Sequence, residues 1–400
     1  MTPVYQLHEL AEDPLSVVGA RCNFESSDGH KKPLAVHKLL HDVASDCGHC
    51  SIVVEVTCEC TVADCKWHAE GQKLILKLSV SEAENRVPEQ MLIQDARSVA
   101  EENGEDWALN HLPNIHDTVS VFYDEDGDAD TCEDDLEKHE TVMCATVLEK
   151  LHPISDLKDL KELAQVFYDI LQIHQWLYER AGILHRDLSI GNLMYRRIDG
   201  QVYGVLNDFD LSSYVCDMND ASSSEAGTRS GTTPFMSPDL LNPFWERGHF
   251  CRHDLESLFF IMLCVSCRYK QPGVASPEPR AFAKWFSGSD DEALLYKSVF
   301  LQNAHRLPVQ PYFADFHPWL TAIRKFVFHG YRNRPPVGLT TEEVMELAEQ
   351  YDEEDHFMFY NPDYDWETLG GYVTYAQFRT VMRSFRNEPL ETRWMGDDDH

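Results

Sequence analysis

The spacing of apolar residues changes character along this chain. Over 51–60 (SIVVEVTCEC) and 73–80 (KLILKLSV) the residues are rich in β-branched and aliphatic side chains, which predicts two strands. Residues 86–102 place apolar side chains at helical spacing, with Pro88 in the first turn, and predict a helix. HETVMCATVLEK (139–150) fits a further strand that runs into a connection, LHPISDL. From Asp159 to Ala181 one helical face collects Leu163, Val166, Phe167, Ile170, Leu171, Ile173, His174 and Leu177, and Gly182 can cap the end. Beyond residue 240 the pattern is mostly helical, over 252–268, 279–287, 317–328 and 341–350. The last of these follows Thr340 and Thr341, either of which can cap it, with glutamates suited to a positive helix end. Residues 1–45 show no strong periodicity and read as an extension. A strand-rich first third and a helical remainder make an α+β chain without an internal repeat.

Two short runs concentrate the chemistry: HRDLSIGN at 185–192 and VLNDFD at 205–210. Between them LMYRR and QVYGVL alternate as strands, and Asp199-Gly200 is a hairpin turn signal. A tight hairpin carries Asp208 back beside Asp187 and Asn192. A carboxylate able to accept a hydroxyl proton then stands next to an amide and a second carboxylate able to hold a hard cation. Mg²⁺ takes such oxygen ligands and shares them with substrate phosphates. Phosphoryl transfer needs this arrangement, because it depends on positioning and charge neutralisation more than on covalent chemistry.

Four hundred residues with a formal net charge of −34 give an acidic surface that disfavours nucleic acid and anionic membranes. A generally solvated surface explains the charge better than a dedicated docking function, and any docking would suit basic partners. The N-terminal MTPVYQLHEL lacks a basic and an apolar region, and the longest apolar run, Leu258–Val265, is too short to span a bilayer. A soluble intracellular protein, cytoplasmic or nuclear, is the expectation. Twelve cysteines are then expected to stay reduced. Cys47, Cys50, Cys58, Cys60, Cys65 and His68 form one cluster in sequence. Cys47-Gly-His-Cys50 has zinc-knuckle spacing that Cys58-x-Cys60 does not repeat, so buried or reduced thiols are favoured over zinc. Cys264 and Cys267 sit in an apolar helical run and read as core. The acidic stretch 124–135 has Ala129 where a calcium loop needs glycine, and reads as a solvated loop.

HRDLSIGN resembles the protein kinase catalytic loop HRDxxxxN, NDFD resembles the magnesium loop DFG, and GTTPFMSPDLL (231–241) resembles the segment that closes a kinase activation loop. More narrowly, ALNHLP (108–113), EKLHPISDL (149–157), GILHRDLSIGNLMYRR (182–197), GVLNDFDLSS (204–213) and HDLESLFFIML (253–263) resemble the fungal-type protein kinase family, over about residues 45–385. The resemblance implies a bilobal protein-kinase-like fold. A small β-rich N-lobe would occupy 46–150 and a larger, mostly helical C-lobe 151–388, after the 1–45 extension and before an acidic tail, 389–400. It implies ATP and Mg as cofactors and a protein or peptide substrate phosphorylated on serine or threonine. Asp187 is then the catalytic base, flanked by His185 and by Arg186, which in such kinases pairs with a phosphorylated activation-loop residue. Candidate acceptors there are Ser222, Ser223, Ser224, Thr228, Ser230, Thr232 and Thr233. Asn192 and Asp208 hold the metal. Lys77 resembles the phosphate-binding VAIK lysine, with Glu89 as its expected partner and Glu82, Glu84 and Glu101 as rivals. Gly48 is the best-placed member of a phosphate-covering loop. Thr232 contacts the base and the substrate loop, Asp239 pairs with a late arginine such as Arg334, and Asp254 anchors the catalytic-loop backbone.

The chain departs from the general kinase pattern in places. It offers Gly48 where three glycines are usual, Ser189 where serine/threonine kinases place a lysine, and Asp210 for the DFG glycine. The family carries the last two substitutions as well. A pseudokinase acting as a binding or scaffold module is the alternative reading. A small-molecule phosphotransferase is a third, against which Arg186 and the 231–239 segment argue.

Overall fold

The computed structural model describes residues 4–5, 18–27, 29–44, 50–60, 65, 67, 73–82, 87–123, 129–130, 141–218, 231–303, 306–338 and 363–394. The chain divides into two compact units, Met1–Met91 with Pro113–Leu151, and Leu92–Leu112 with His152–His400.

The first unit is built on a sheet whose described strands run in the order β1 (Val4–Tyr5), β2 (Arg21–Glu25), β3 (Lys31–Ala44), β4 (Cys50–Cys58), β5 (Leu74–Glu82), β8 (Thr141–Glu149), β6 (Ile115–Tyr123), β7 (Ala129–Asp130). Period-two alternation explains its core. Ile52, Val54 and Val56 of β4 and Leu74, Leu76 and Leu78 of β5 point to one face and are fully buried there with Phe24, Leu34 and Trp67. Lys77 therefore lies on the other face, between its cross-strand partners Val53 and Thr146. The segment read as an aperiodic extension contributes three strands of this sheet, β1, β2 and β3. Bulges between Val36 and Lys38 and between Leu39 and His41 break the alternation of β3, which hides the strand from a sequence reading.

In the second unit the helix α2 (Leu160–Trp176) is capped by Asp159, whose side chain accepts from Lys161 N at 2.7 Å. A single π-helical turn, Leu177–Ala181, continues it and stops at Gly182 in the left-handed conformation (φ 64°). The helix α4 (Cys251–Arg268) is buried along its whole length, and Cys264 and Cys267 are core residues as the sequence suggested. The helices α6 (His317–Asn333) and α7 (Tyr375–Met382) complete the bundle together with α5 (Asp290–Gln302), which the sequence reading missed. Earlier in the chain come α1 (Glu89–Asn103) and a one-turn α3 (Pro238–Leu241). The helix expected over 279–287 shrinks to Ala283–Ser287. The predicted helix 341–350, most of the acidic stretch 124–135 and the end of the acidic tail lie outside the described residues. Among the described residues no helix is long and apolar enough to cross a membrane.

After the two-residue strands β9 (His152–Pro153) and β10 (Ile183–Leu184), a hairpin of β11 (Leu193–Ile198) and β12 (Gln201–Leu206) packs on α2. Gly204 makes the close approach possible, since a Cβ there would meet Val166 O at 2.8 Å. Its backbone is used on both sides: Gly204 N donates to Asp169 Oδ2 at 3.0 Å, and Gly204 O bonds His111 Nδ1 at 2.6 Å. His111 is fully buried, and burial pushes its ring down from an ordinary 6.5 to about 3. The native state keeps this ring neutral while the unfolded chain protonates it near its ordinary value. Between those limits the unfolded state binds more protons, so the contribution of His111 is lost as pH falls. Comparing wild type with His111→Gln by urea unfolding at pH 7 and pH 5, we expect wild type to lose stability relative to the variant by about 1 to 2 kcal/mol at the lower pH. An equal loss in both proteins would contradict this.

Candidate active site

The loop that follows Gly182 delivers His185-Arg186-Asp187, and a two-residue turn brings the chain back to the same place. Strands β11 and β12 pair in register from Leu193↔Leu206 to Ile198↔Gln201. Asp199 (φ 50°) and Gly200 (φ 81°) both take the positive φ that a type I′ hairpin requires. Closing the hairpin sets Asn207 N on Asn192 O at 2.9 Å, with Asp208 next in the chain at φ 67°.

Asp187 is the meeting point. Its Oδ1 accepts from both Thr232 N and Thr232 Oγ1 at 2.8 Å. Asn192 Nδ2 donates to Asp187 O at 2.8 Å and to Oδ2 at 3.2 Å. Both partners are acceptors only, so the Asn192 amide nitrogen faces Asp187 and its oxygen faces elsewhere. Burial pushes the Asp187 carboxyl up to about 6; the Thr232 hydroxyl acts against this and the charge of Asp208 adds to it. His185 packs edge-on against Phe209 with ring centroids 5.0 Å apart, and its Nε2 bonds Asn207 O at 3.2 Å. Its other nitrogen lies 3.4 Å from Asp187 N, and burial lowers the ring to about 4, so it stays neutral.

Arg186 holds a left-handed backbone (φ 69°), which is unfavourable for a side chain with a Cβ. Its N–H donates to Asp254 Oδ2 at 2.9 Å. Asp254 is buried and also receives His174 Nε2 on Oδ2 at 2.9 Å and His249 Nε2 on Oδ1 at 2.8 Å. A carboxylate only accepts, so both rings present Nε2–H to it, and His174 Nδ1 is left for Tyr375 OH at 2.8 Å. Burial alone would raise Asp254, but the His249 and His174 rings hold it well below the usual carboxylate range. The sequence reading singled out Asp254 as an anchor of the 185–187 backbone and named neither histidine. His174 had passed as one more position on the buried face of α2.

The 231–241 segment is held by ion pairs from beneath. Asp239 bonds both Arg252 and Arg334, and Arg252 also donates to Glu256 Oε1 at 2.7 Å. Arg334 was the sequence candidate; Arg252, within α4, was not. Lys297 of α5 is fully buried, donates to Thr233 O at 3.3 Å and to Met236 O, and sits 4.3 Å from the Phe260 ring centroid. Burial pushes this lysine down to about 7. Nothing in DDEALLYKSVF marked it as buried. Arg186 reaches Ser213 Oγ at 3.4 Å, whereas the acceptors Ser222, Ser223, Ser224, Thr228 and Ser230 lie outside the described residues.

In the first unit Lys77 Nζ and Glu89 Oε2 are 2.6 Å apart, with side chains 9% and 10% exposed. Glu101 is exposed on α1, while Gly48, Glu84 and the side chain of Glu82 are outside the described residues.

A family model described as fungal protein kinase matches residues 34–266, more than half of the chain. Among curated proteins, "Probable serine/threonine-protein kinase fhkB" of Dictyostelium discoideum is 27% identical over 159 residues, 36% of this chain. The aligned part spans only 13% of that protein's length. Among solved structures, the kinase PK-1 of Cydia pomonella granulovirus aligns with a TM-score of 0.33 and 14% identity, covering 56% of this chain and 68% of that one. With the 185–192 loop, the hairpin and the 231–241 segment arranged as described, and with the family model spanning more than half its length, this chain belongs to the fungal protein kinase family.

Proposed function

We propose that this chain transfers the γ-phosphate of ATP to serine or threonine hydroxyls of a protein substrate. The observation that carries this reading is the convergence of Thr232 and Asn192 on the carboxylate of Asp187. Two donors on one oxygen fix the carboxylate's orientation. A base pushed up to about 6 is ionised at neutral pH yet takes a proton more readily than an exposed aspartate. In this reading Asp187 orients the acceptor hydroxyl and takes its proton as the new bond to phosphorus forms. His185 and Arg186 are positioning residues, holding the loop from its two sides.

The Asn192 amide oxygen and the Asp208 carboxylate are hard donors of the kind Mg²⁺ takes, and the bond from Asn192 Nδ2 to Asp187 leaves that oxygen for a cation. Mg²⁺ bound there would neutralise phosphate charge. We assign the Lys77–Glu89 pair to the nucleotide phosphates, with Gly48 in the covering loop. The 231–241 segment, fixed through Asp239 and supported by Lys297, is assigned to the substrate peptide. A net charge of −34 favours basic peptides over nucleic acid or anionic membranes. The name of the Dictyostelium relative supports serine or threonine as the acceptor. We further assign 46–150 to a nucleotide-binding N-lobe and 151–388 to a catalytic C-lobe.

The test is γ-phosphate transfer from ATP and Mg²⁺ to a generic protein, or to the chain itself, with the modified sites mapped by mass spectrometry. Asp187→Asn is expected to lower kcat by about 10²- to 10⁴-fold with little change in Tm. Folded wild-type protein that transfers no phosphate, or a rate indifferent to Asp187, would overturn the proposal in favour of a module that binds without turnover. Lys77→Met leaves Glu89 without its cation and is expected to lower kcat/KM for ATP by about 10²-fold. Unchanged ATP kinetics in that variant would remove Lys77 from the nucleotide site.

A further inference from the structure

Three cysteines gather at the far end of β4. Cys58 ends the strand and Cys60 follows two residues later in extended chain, which turns both side chains to the same face. The backbone pairing continues past the strand, with Glu59 N donating to Pro33 O at 2.8 Å, and Glu59 points away to Arg21 at 2.5 Å. Cys58 and Cys60 are buried against the sheet core, and Cys65, half-buried, packs on the same cluster. The sulfurs of Cys58 and Cys65 are 4.0 Å apart, and all three lie within 4.8 Å of one another. His68, Cys47 and the side chain of Cys50 are outside the described residues.

Three thiols in such a group can pack, oxidise or coordinate. A disulfide requires sulfurs about 2 Å apart, well inside the separation found here. Two thiolates on one tetrahedral zinc, each at about 2.3 Å, stand about 3.8 Å apart. The Cys58–Cys65 spacing is close to that second value. We propose that Cys58, Cys60 and Cys65 bind a single thiophilic cation, Zn²⁺, in a structural site that ties Cys65 to the end of β4. Soft sulfur ligands select zinc over Mg²⁺ or Ca²⁺, so this site is chemically distinct from the oxygen donors assigned to phosphoryl transfer. It also lies further along β4 than Val53, the partner of Lys77. The spacing of the cysteines in sequence spoke against zinc because it looked for two CxxC pairs. Folding supplies the third ligand, Cys65, instead.

The test uses the full chain, reduced and stripped of metal, titrated separately with Zn²⁺ and Co²⁺. We expect binding of one equivalent, a sulfur-to-cobalt charge-transfer band in the near ultraviolet, and a Zn²⁺-dependent rise in Tm of about 5 °C or more. Zinc should also protect Cys58, Cys60 and Cys65 of wild type from alkylation, which reads the site without any variant. Cys60→Ser and Cys65→Ser are each expected to weaken binding by about 10²-fold or more, while Cys216→Ser, at an exposed position, leaves it unchanged. Absence of the charge-transfer band, undiminished binding in both ligand variants, or a Cys58–Cys65 disulfide formed with peroxide in protein that takes up no zinc would overturn the assignment.

Discussion

The buried carboxylate of Asp254 is the constraint on which the loop at 185–187 depends. A charge removed from water is tolerated only where donors replace its hydration, and here they come from three separate stretches of chain. Arg186 N comes from the loop after Gly182, His174 from α2 and His249 from the residues before α4. The requirement to satisfy one carboxylate therefore fixes the relative position of all three. It also holds Arg186 in a left-handed conformation that would relax if unsupported. Ser212 Oγ donates to His185 O at 3.1 Å from the opposite side, so the loop is gripped at two successive residues. Tyr375, reaching His174 from α7, extends the same chain of hydrogen bonds to the last described helix of the unit.

What this rigidity positions is Asp187. Its orientation comes from Thr232 and Asn192, and each of those is fixed in turn by something else. Asn192 is set by the β11–β12 hairpin and the turn at Asp199-Gly200. Thr232 belongs to a segment whose carbonyls at 233 and 236 rest on Lys297 and whose Asp239 is clamped by Arg252 and Arg334. Buried ions of this kind contribute little net stability. Their effect is positional, since each can be satisfied in only one arrangement.

Much of the fold is legible in the sequence, and the misses have identifiable causes. Strands β4 and β5 and helices α2 and α4 carry long regular apolar patterns. The strand β3 does not, because its two bulges shift side chains from one face to the other. Helix α5 was missed because its buried stripe, Ala293, Lys297 and Leu301, contains a lysine where a sequence reading expects an apolar residue. Lys297 is at once the reason the helix was overlooked and the part of it that touches the 231–241 segment. The hairpin turn was legible at Asp199-Gly200; Lys77 lies beside Glu89 and Thr232 on Asp187, contacts that only the resemblance to protein kinases had singled out.

By itself the sequence determined the local elements: where chain alternates, where it coils, where it turns, and which short runs bear carboxylates and amides at phosphotransfer spacing. Those features are carried by neighbouring residues and need no knowledge of the rest. The tertiary structure alone decided which buried group answers which, as with His174 and Asp254, Arg252 and Asp239, or Cys65 and Cys58. Such pairs are chosen by how helices and strands pack, since a buried charge or thiol meets whatever the packing brings within a few ångströms, and periodicity along the chain does not encode that.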